Sequence, residues 1–323
     1  MNNKMVAATV AGALTATLAL AGCGTSYTLA GEDGQVTILA AFYPLQFISK
    51  QIGGEHVAVT TLTPQGAEPH DLELSPAHTR LISQADLVVF SSGLQPSVDD
   101  AVKARQPKHV VDAGTLATLE TPHNEHGPHG SHAAGGHADG EEHSVGDGHD
   151  HGFTDPHFWL DPTLLNQAAQ GVAKQLELID PTNAGTYQAN AQKLATRLAN
   201  LDQQFEQGLA TCGERSIVTA HEAFGYLAKR YNFEQIGISG IDPEAEPSPA
   251  QIRSVKAQIA DRNITTIFFE ALTSPKVTKT LASDLGITAK LLDPIEGLND
   301  PSQDYFSVQE ANLAALRSGM NCE

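Results

Sequence analysis

The chain has 323 residues, enough for one large or two ordinary domains, and 41% of them are hydrophobic, so substantial cores can be buried. Its 19 basic residues against 38 acidic ones leave a formal charge of −19. That balance argues against nucleic acid, whose phosphates need Lys and Arg, and against an electrostatic hold on anionic lipid; it suits a soluble body handling cations, although acidity also serves solubility alone.

The chain opens on a targeting segment. Val6–Leu20 is a short apolar run behind Lys4, too short for a comfortable membrane span. It ends in Leu20-Ala21-Gly22-Cys23, which resembles the bacterial lipobox, whose cysteine receives a diacylglyceryl group and becomes the new N-terminus. On that reading residues 1–22 are a lipoprotein signal peptide, Cys23 is the lipidation site, and residues 23–35 tether the folded body to the outer face of the membrane. Two acyl chains anchor stably where one would be marginal. An ordinary signal peptide that contains a cysteine is the alternative. Cys212 and Cys322 are then an even pair in an oxidising compartment, where a disulfide is favoured over two buried thiols.

From residue 36 the pattern is strand, helix, strand. "VTILA" reads as a buried strand, "YPLQFISKQI" as a helix stopped by Gly53-Gly54, and "HVAVTTLTP" as a second strand. Ser75-Pro76 caps a helix through Gln84, followed by the strands "LVVFSS" and "HVVDAG". Such repetition marks a mostly parallel sheet. After residue 152, Asp161-Pro162 caps another helix. Tyr187, Ala191, Leu194, Leu198, Leu201, Phe205 and Leu209 then recur at steps of three and four, one face of a long helix. The second half repeats the alternation: "SIVTAH", "EAFGYLAKRYNF", "QIGIS", "SPAQIRSVKAQIADRN", "ITTIFFE", "SPKVTKTLASDLG", "AKLLDP" and a closing helix. The predicted fold is α/β: two β/α lobes, residues 36–180 and 212–323, joined by a connecting helix over 181–211, with a ligand site in the cleft between them.

The stretch from His123 to His151 breaks this rhythm. Its 29 residues include eight histidines (His123, His126, His129, His132, His137, His143, His149 and His151), seven glycines and six acids. Such a composition cannot offset its ordering entropy, so residues 121–152 read as a surface loop.

Four positions outside that loop stand at strand ends or before a helix: His70 after "TTLTP", His157 before the Asp161 cap, His221 at the end of "SIVTAH" and Asp293 at the end of "AKLLDP". Ligands of open α/β sheets bind at the carboxyl ends of strands. Three imidazoles and one carboxylate suit a tetrahedral divalent site. Each residue taken singly has an ordinary structural reading, and no two are close in sequence.

The segments "EPHDLELSP", "DPHFWLDP", "TAHEAFGYLAKRY" and "LLDPIEGL", in this order over nearly the whole mature chain, resemble the metal-binding lipoproteins of bacterial ABC importers for zinc and manganese. The resemblance implies two lobes joined by one long helix, with the ion held by His70, His157, His221 and Asp293. Manganese-type members usually carry a carboxylate at the third position; His221 points to zinc, which imidazole suits better. A histidine-rich insertion before the second ligand also fits the zinc branch, and implies a low-affinity metal collector. The expected cargo is Zn2+, the expected partner a membrane permease, and the expected form a monomer that is not an enzyme. Manganese or iron uptake on the same fold is the alternative, and a zinc hydrolase a more distant one; no H-E-x-x-H, G-x-S-x-G or P-loop is present. Three histidine ligands predict an affinity that falls below about pH 6.5, the ordinary imidazole value.

Lesser candidates are Glu68, a possible partner of the His70 imidazole, Glu222, placed to favour a helix dipole, and Glu270, facing the cleft. His56, His78 and His109 read as surface or structural.

Overall fold

The structure, a computed structural model, describes Leu29, Gly31, residues 34–116 and residues 155–323. The leader, Cys23 and the eight clustered histidines lie outside the described residues.

The first lobe runs β1 (Val36–Ala40), α1 (Tyr43–Gly53), β2 (Val57–Thr61), α2 (Pro76–Gln84), β3 (Leu87–Phe90), α3 (Pro96–Arg105), β4 (Val110–Asp112) and the one-turn α4 (Ala113–Leu116). A short 3-10 turn, Phe158–Leu160, leads into α5 (Pro162–Ile179), and α6 (Ala184–Gly208) follows. The second lobe runs β5 (Ser216–Thr219), α7 (Gly225–Arg230), β6 (Glu234–Gly237), α8 (Pro249–Arg262), β7 (Thr266–Phe269), α9 (Lys276–Leu285), β8 (Thr288–Leu291) and α10 (Tyr305–Gly319). The sheets are ordered β2-β1-β3-β4 and β6-β5-β7-β8, every pair parallel.

Local chemistry explains the helix starts. Ser75, Asp161 and Ser248 each precede a proline at the first helical position, and each side chain accepts a backbone N–H of the first turn. At the other end, Gly54, Asn263 and Gly286 take positive φ and stop α1, α8 and α9. The 25 residues of α6 would extend about 37 Å at 1.5 Å each. Its buried face is Tyr187, Ala191, Leu194, Leu198, Leu201 and Phe205, the periodic set of the sequence.

Two departures from the sequence reading matter. The helix α3 had no strong signal, because its buried side chains are only Val98 and Ala101. The helix expected from Glu222 begins at Gly225 instead, because Glu222 N–H is spent on the Gly240 carbonyl (2.9 Å) while the chain turns to present His221.

One apolar core runs from the first sheet (Ile38, Leu39) through Trp159 and Leu194 to Tyr305 and Leu316 of the last helix. A smaller core of Val218, Ile236, Ile259, Ile267 and Leu281 fills the second lobe. Because the larger core crosses between lobes, α10 packs back against the first. Tyr305 Oη donates to the Trp159 carbonyl at 2.7 Å and Gln309 Nε2 to the Leu160 carbonyl at 3.2 Å. Cys212 and Cys322 form a disulfide, tying the chain just beyond α6 to the C-terminus.

Candidate metal centre

Parallel strands end on the same edge, so the loops leaving them converge. His70 lies on the loop after β2, His221 two residues beyond β5, and His157 immediately before the Phe158–Leu160 turn. The structure brings these three together, as the sequence predicts. The fourth member of the group is Glu296, five residues beyond β8.

The donor atoms are close. His157 Nε2 is 3.3 Å from His70 Nε2 and 3.4 Å from His221 Nε2. Glu296 Oε1 lies 3.4 Å from His70 Nε2, 3.2 Å from His157 Nε2 and 3.4 Å from His221 Nε2. His157, His221 and Glu296 are buried, and His70 is half-buried. Among the described residues this is the group of three or more His, Cys, Asp or Glu placed to hold a metal ion.

Asp293, expected in the group, is not brought into it. Its Oδ1 accepts the Ile295 N–H at 2.8 Å, so the carboxylate closes its own turn rather than joining the imidazoles. Burial pushes its pKa up to about 6, against that hydrogen bond, with Glu296 and Glu270 adding to the rise. The two residues between Asp293 and Glu296, Pro294 and Ile295, reverse the chain, with Ile295 at φ 57°, and so deliver the later acid.

Two further carboxylates fix the imidazoles. Asp155 Oδ1 accepts the His157 backbone N–H at 2.9 Å and contacts its Nδ1 at 2.7 Å. Glu270 Oε1 accepts the His221 N–H at 3.1 Å while Oε2 contacts its Nδ1 at 2.7 Å. Glu270 reaches His221 because β5 and β7 are neighbours, with Thr219 beside Phe268. A proton on Nδ1 donated to the carboxylate leaves the Nε2 lone pair facing the other donors, which sets both tautomer and ring direction. Asp155 was missed in the sequence, although Asp155-Pro156-His157 repeats the spacing noticed at Glu68-Pro69-His70. Glu68 itself takes backbone N–H groups, from His70 at 3.0 Å and Asp71 at 3.4 Å, and sits 3.9 Å from His70 Nε2. Glu222 is half-buried and lies outside the group; burial raises its pKa, with Asp155 adding to the rise.

The electrostatics are those of a proton-holding cluster. Burial opposes charge on His221, but its hydrogen bonds to Glu270 and Glu296 outweigh this and raise its pKa to about 10. His157 behaves likewise: burial disfavours its protonation, and Asp155 and Glu296 override it to raise the pKa. Burial would raise Glu296, yet the three histidines hold it well below the ordinary carboxylate range. Buried negative charge aimed at imidazole nitrogens stabilises a cation at its centre.

Of the remaining histidines, His56 meets Tyr187 edge-on, His78 is buried on α2, and His109 is half-buried beside β4.

The family model described as "ZnuA: Zinc-uptake complex component A periplasmic" matches residues 38–319. The chain is 32% identical over 314 residues to the high-affinity zinc uptake system protein ZnuA of Bacillus subtilis, with 94% of each covered. It is 35% identical over 291 residues to the zinc-binding protein AdcA of Streptococcus pyogenes, covering 88% of this chain and 56% of that longer one. Among solved structures, the Zn(II)-bound ZnuA-like domain of Streptococcus pneumoniae AdcA matches with a TM-score of 0.71 at 27% identity, over 89% of this chain and 100% of that one.

Proposed function

The chain belongs to the ZnuA family of zinc-uptake complex components, and we propose that it captures Zn2+ outside the cytoplasm for an ABC importer, holding the ion on His70, His157, His221 and Glu296 until a membrane permease accepts it. The observation that carries this reading is the size of the donor cage. Five of its six edges measure 3.2–3.4 Å. A regular tetrahedron with such edges has its centre about 2.0–2.1 Å from each vertex, the range of Zn–N and Zn–O bonds. Three nitrogens to one oxygen favour zinc over manganese, which prefers oxygen. The fourth protein donor occupies the position that a catalytic zinc keeps open for water, which supports transport over hydrolysis.

The chain's own residues divide the work. Asp155 and Glu270 orient His157 and His221, Glu296 supplies the negative charge, and the half-buried His70 lies where an ion enters. The Leu20–Cys23 motif supports a lipid anchor at Cys23, with the body working as a monomer on the outer face of the membrane. Among the described residues no helix is long and apolar enough to cross a membrane. The run from His123 to His151 is suited to a low-affinity collector, because neutral imidazoles exchange ligands readily.

The test is a competition titration against a calibrated chelator, with protein purified free of metal. We expect one tight zinc per chain that excess manganese does not displace. Tight manganese binding that expels zinc, or no tight zinc, would reject the reading.

A further inference from the structure

The segment that delivers Glu296 is held one residue at a time. Asp293 donates its backbone N–H to Asn312 Oδ1 at 2.8 Å, and its carbonyl accepts from Asn312 Nδ2 at 2.7 Å. A single carboxamide on α10 thus pairs both backbone groups of one residue, as an adjacent strand would. The Pro294 carbonyl accepts Trp159 Nε1–H at 2.8 Å. The Ile295 N–H is taken by Asp293 Oδ1. Asn312, Ile295, Trp159 and Glu296 are all buried, at 2%, 0%, 0% and 1% exposure, and Asp293, which takes part in three of these bonds, is half-buried.

These anchors hold a conformation that the chain would otherwise leave. Ile295 has φ 57°, the left-handed region, which a β-branched side chain rarely adopts and which persists only when its surroundings over-determine it. Relaxation to an ordinary negative φ is a rotation of roughly 100° or more, directly before Glu296. Such a turn would carry the carboxylate away from three imidazoles that it now meets within 3.2–3.4 Å.

We propose that Asn312 is a positioning residue for metal binding: by pairing with the Asp293 backbone, it holds the strained Asp293–Ile295 turn that aims Glu296 at the histidines. Asp293 serves the same end through its hydrogen bond to Ile295, as an acceptor and not as a metal donor. The inference rests on the zinc-binding reading above and adds the residues that set its fourth donor.

The experiment measures zinc affinity by chelator competition in the wild-type chain, Glu296→Gln, Asn312→Ala, the double variant, Asp293→Ala and Asp293→Asn, with melting of the zinc-free proteins as a fold check. Loss of a residue that orients a ligand typically weakens metal affinity about 10–100-fold, and Asn312→Ala is expected in that range. Acting through Glu296, it should add nothing in the Glu296→Gln background, a coupling that a merely structural role does not produce. Asp293→Ala should weaken binding, whereas Asp293→Asn, whose amide oxygen still accepts from Ile295, should keep the wild-type affinity. Full additivity of Asn312→Ala with Glu296→Gln, or unchanged affinity in Asn312→Ala, overturns the proposal. If Asn312→Ala does not fold, the Asp293 pair decides: equal losses in both variants mark a charged metal donor and overturn it. A wild-type chain that binds no zinc instead rejects the zinc reading itself, and this inference with it.

Discussion

Zinc must displace protons from this cluster, and the structure says where they sit. His221 is buried between Glu270 and Glu296, with its pKa raised to about 10 in the zinc-free protein. At pH 7.5 such a group is mostly protonated. The Nε2 lone pair is needed for the metal, so that proton must leave. His157, also raised, contributes a second proton in part or in full. Each proton released makes zinc affinity rise about tenfold per pH unit, so between pH 6.5 and 8.5 one proton gives about 100-fold and two about 10,000-fold. This moves the pH dependence upward from the sequence expectation of a fall below about pH 6.5, because buried carboxylates, not bulk water, surround the imidazoles. For the zinc-free protein the sign is opposite. A histidine whose folded pKa exceeds its unfolded value stabilises fully below about 6.5, and that stabilisation is lost as pH rises toward 10. Titration calorimetry at pH 7.5 in buffers of different protonation heat counts the protons, and melting of zinc-free protein from pH 6.5 to 9 tests the second sign. Zero protons released, with an affinity flat from pH 6.5 to 8.5, would refute the reasoning.

Removing the carboxylates behind the imidazoles, by Asp155→Ala or Glu270→Ala, should each weaken zinc binding about 10–100-fold; unchanged affinity in both would show that they do not orient the rings. Deleting residues 121–152 should leave one tight zinc site and remove weaker ones, measured by calorimetry; loss of the tight site would mean that the cleft is not the primary site. Replacing Cys212 and Cys322 by Ser opens a cross-link between residues 110 apart, which the chain-entropy model values at about 4–5 kcal/mol. Urea unfolding should report a loss of that order with zinc affinity unchanged, and stability equal to the wild type would contradict the cross-link's role.

Most of the architecture was legible because its signals are local. Ser-Pro and Asp-Pro caps mark the starts of α2, α5 and α8, and the apolar spacing of α6 gives both its length and its buried face. The helix α3 was not, since two buried side chains in ten residues make no clear stripe. The three histidines were legible from their places at strand and helix ends together with the family resemblance. The carboxylate that the structure groups with them is Glu296, three residues beyond the expected Asp293, for a physical reason. Strand ends favour the first acid, Asp293, but a left-handed Ile295 turns the chain so that Glu296 faces inward. A β-branched residue gives no sequence sign of that conformation, which comes from Asn312 and Trp159, far along the chain. Glu270 was noticed only as facing the cleft; its role as partner of His221 follows from the adjacency of β5 and β7, which only the sheet order supplies.

The most direct test is a zinc-edge anomalous difference map from crystals of the zinc-loaded protein. The account predicts one strong peak bonded to His70 Nε2, His157 Nε2, His221 Nε2 and Glu296 Oε1, each at about 2.0–2.2 Å, with Asp293 still bound to the Ile295 N–H. A peak coordinated by Asp293 in place of Glu296, or located away from these three histidines, would contradict it.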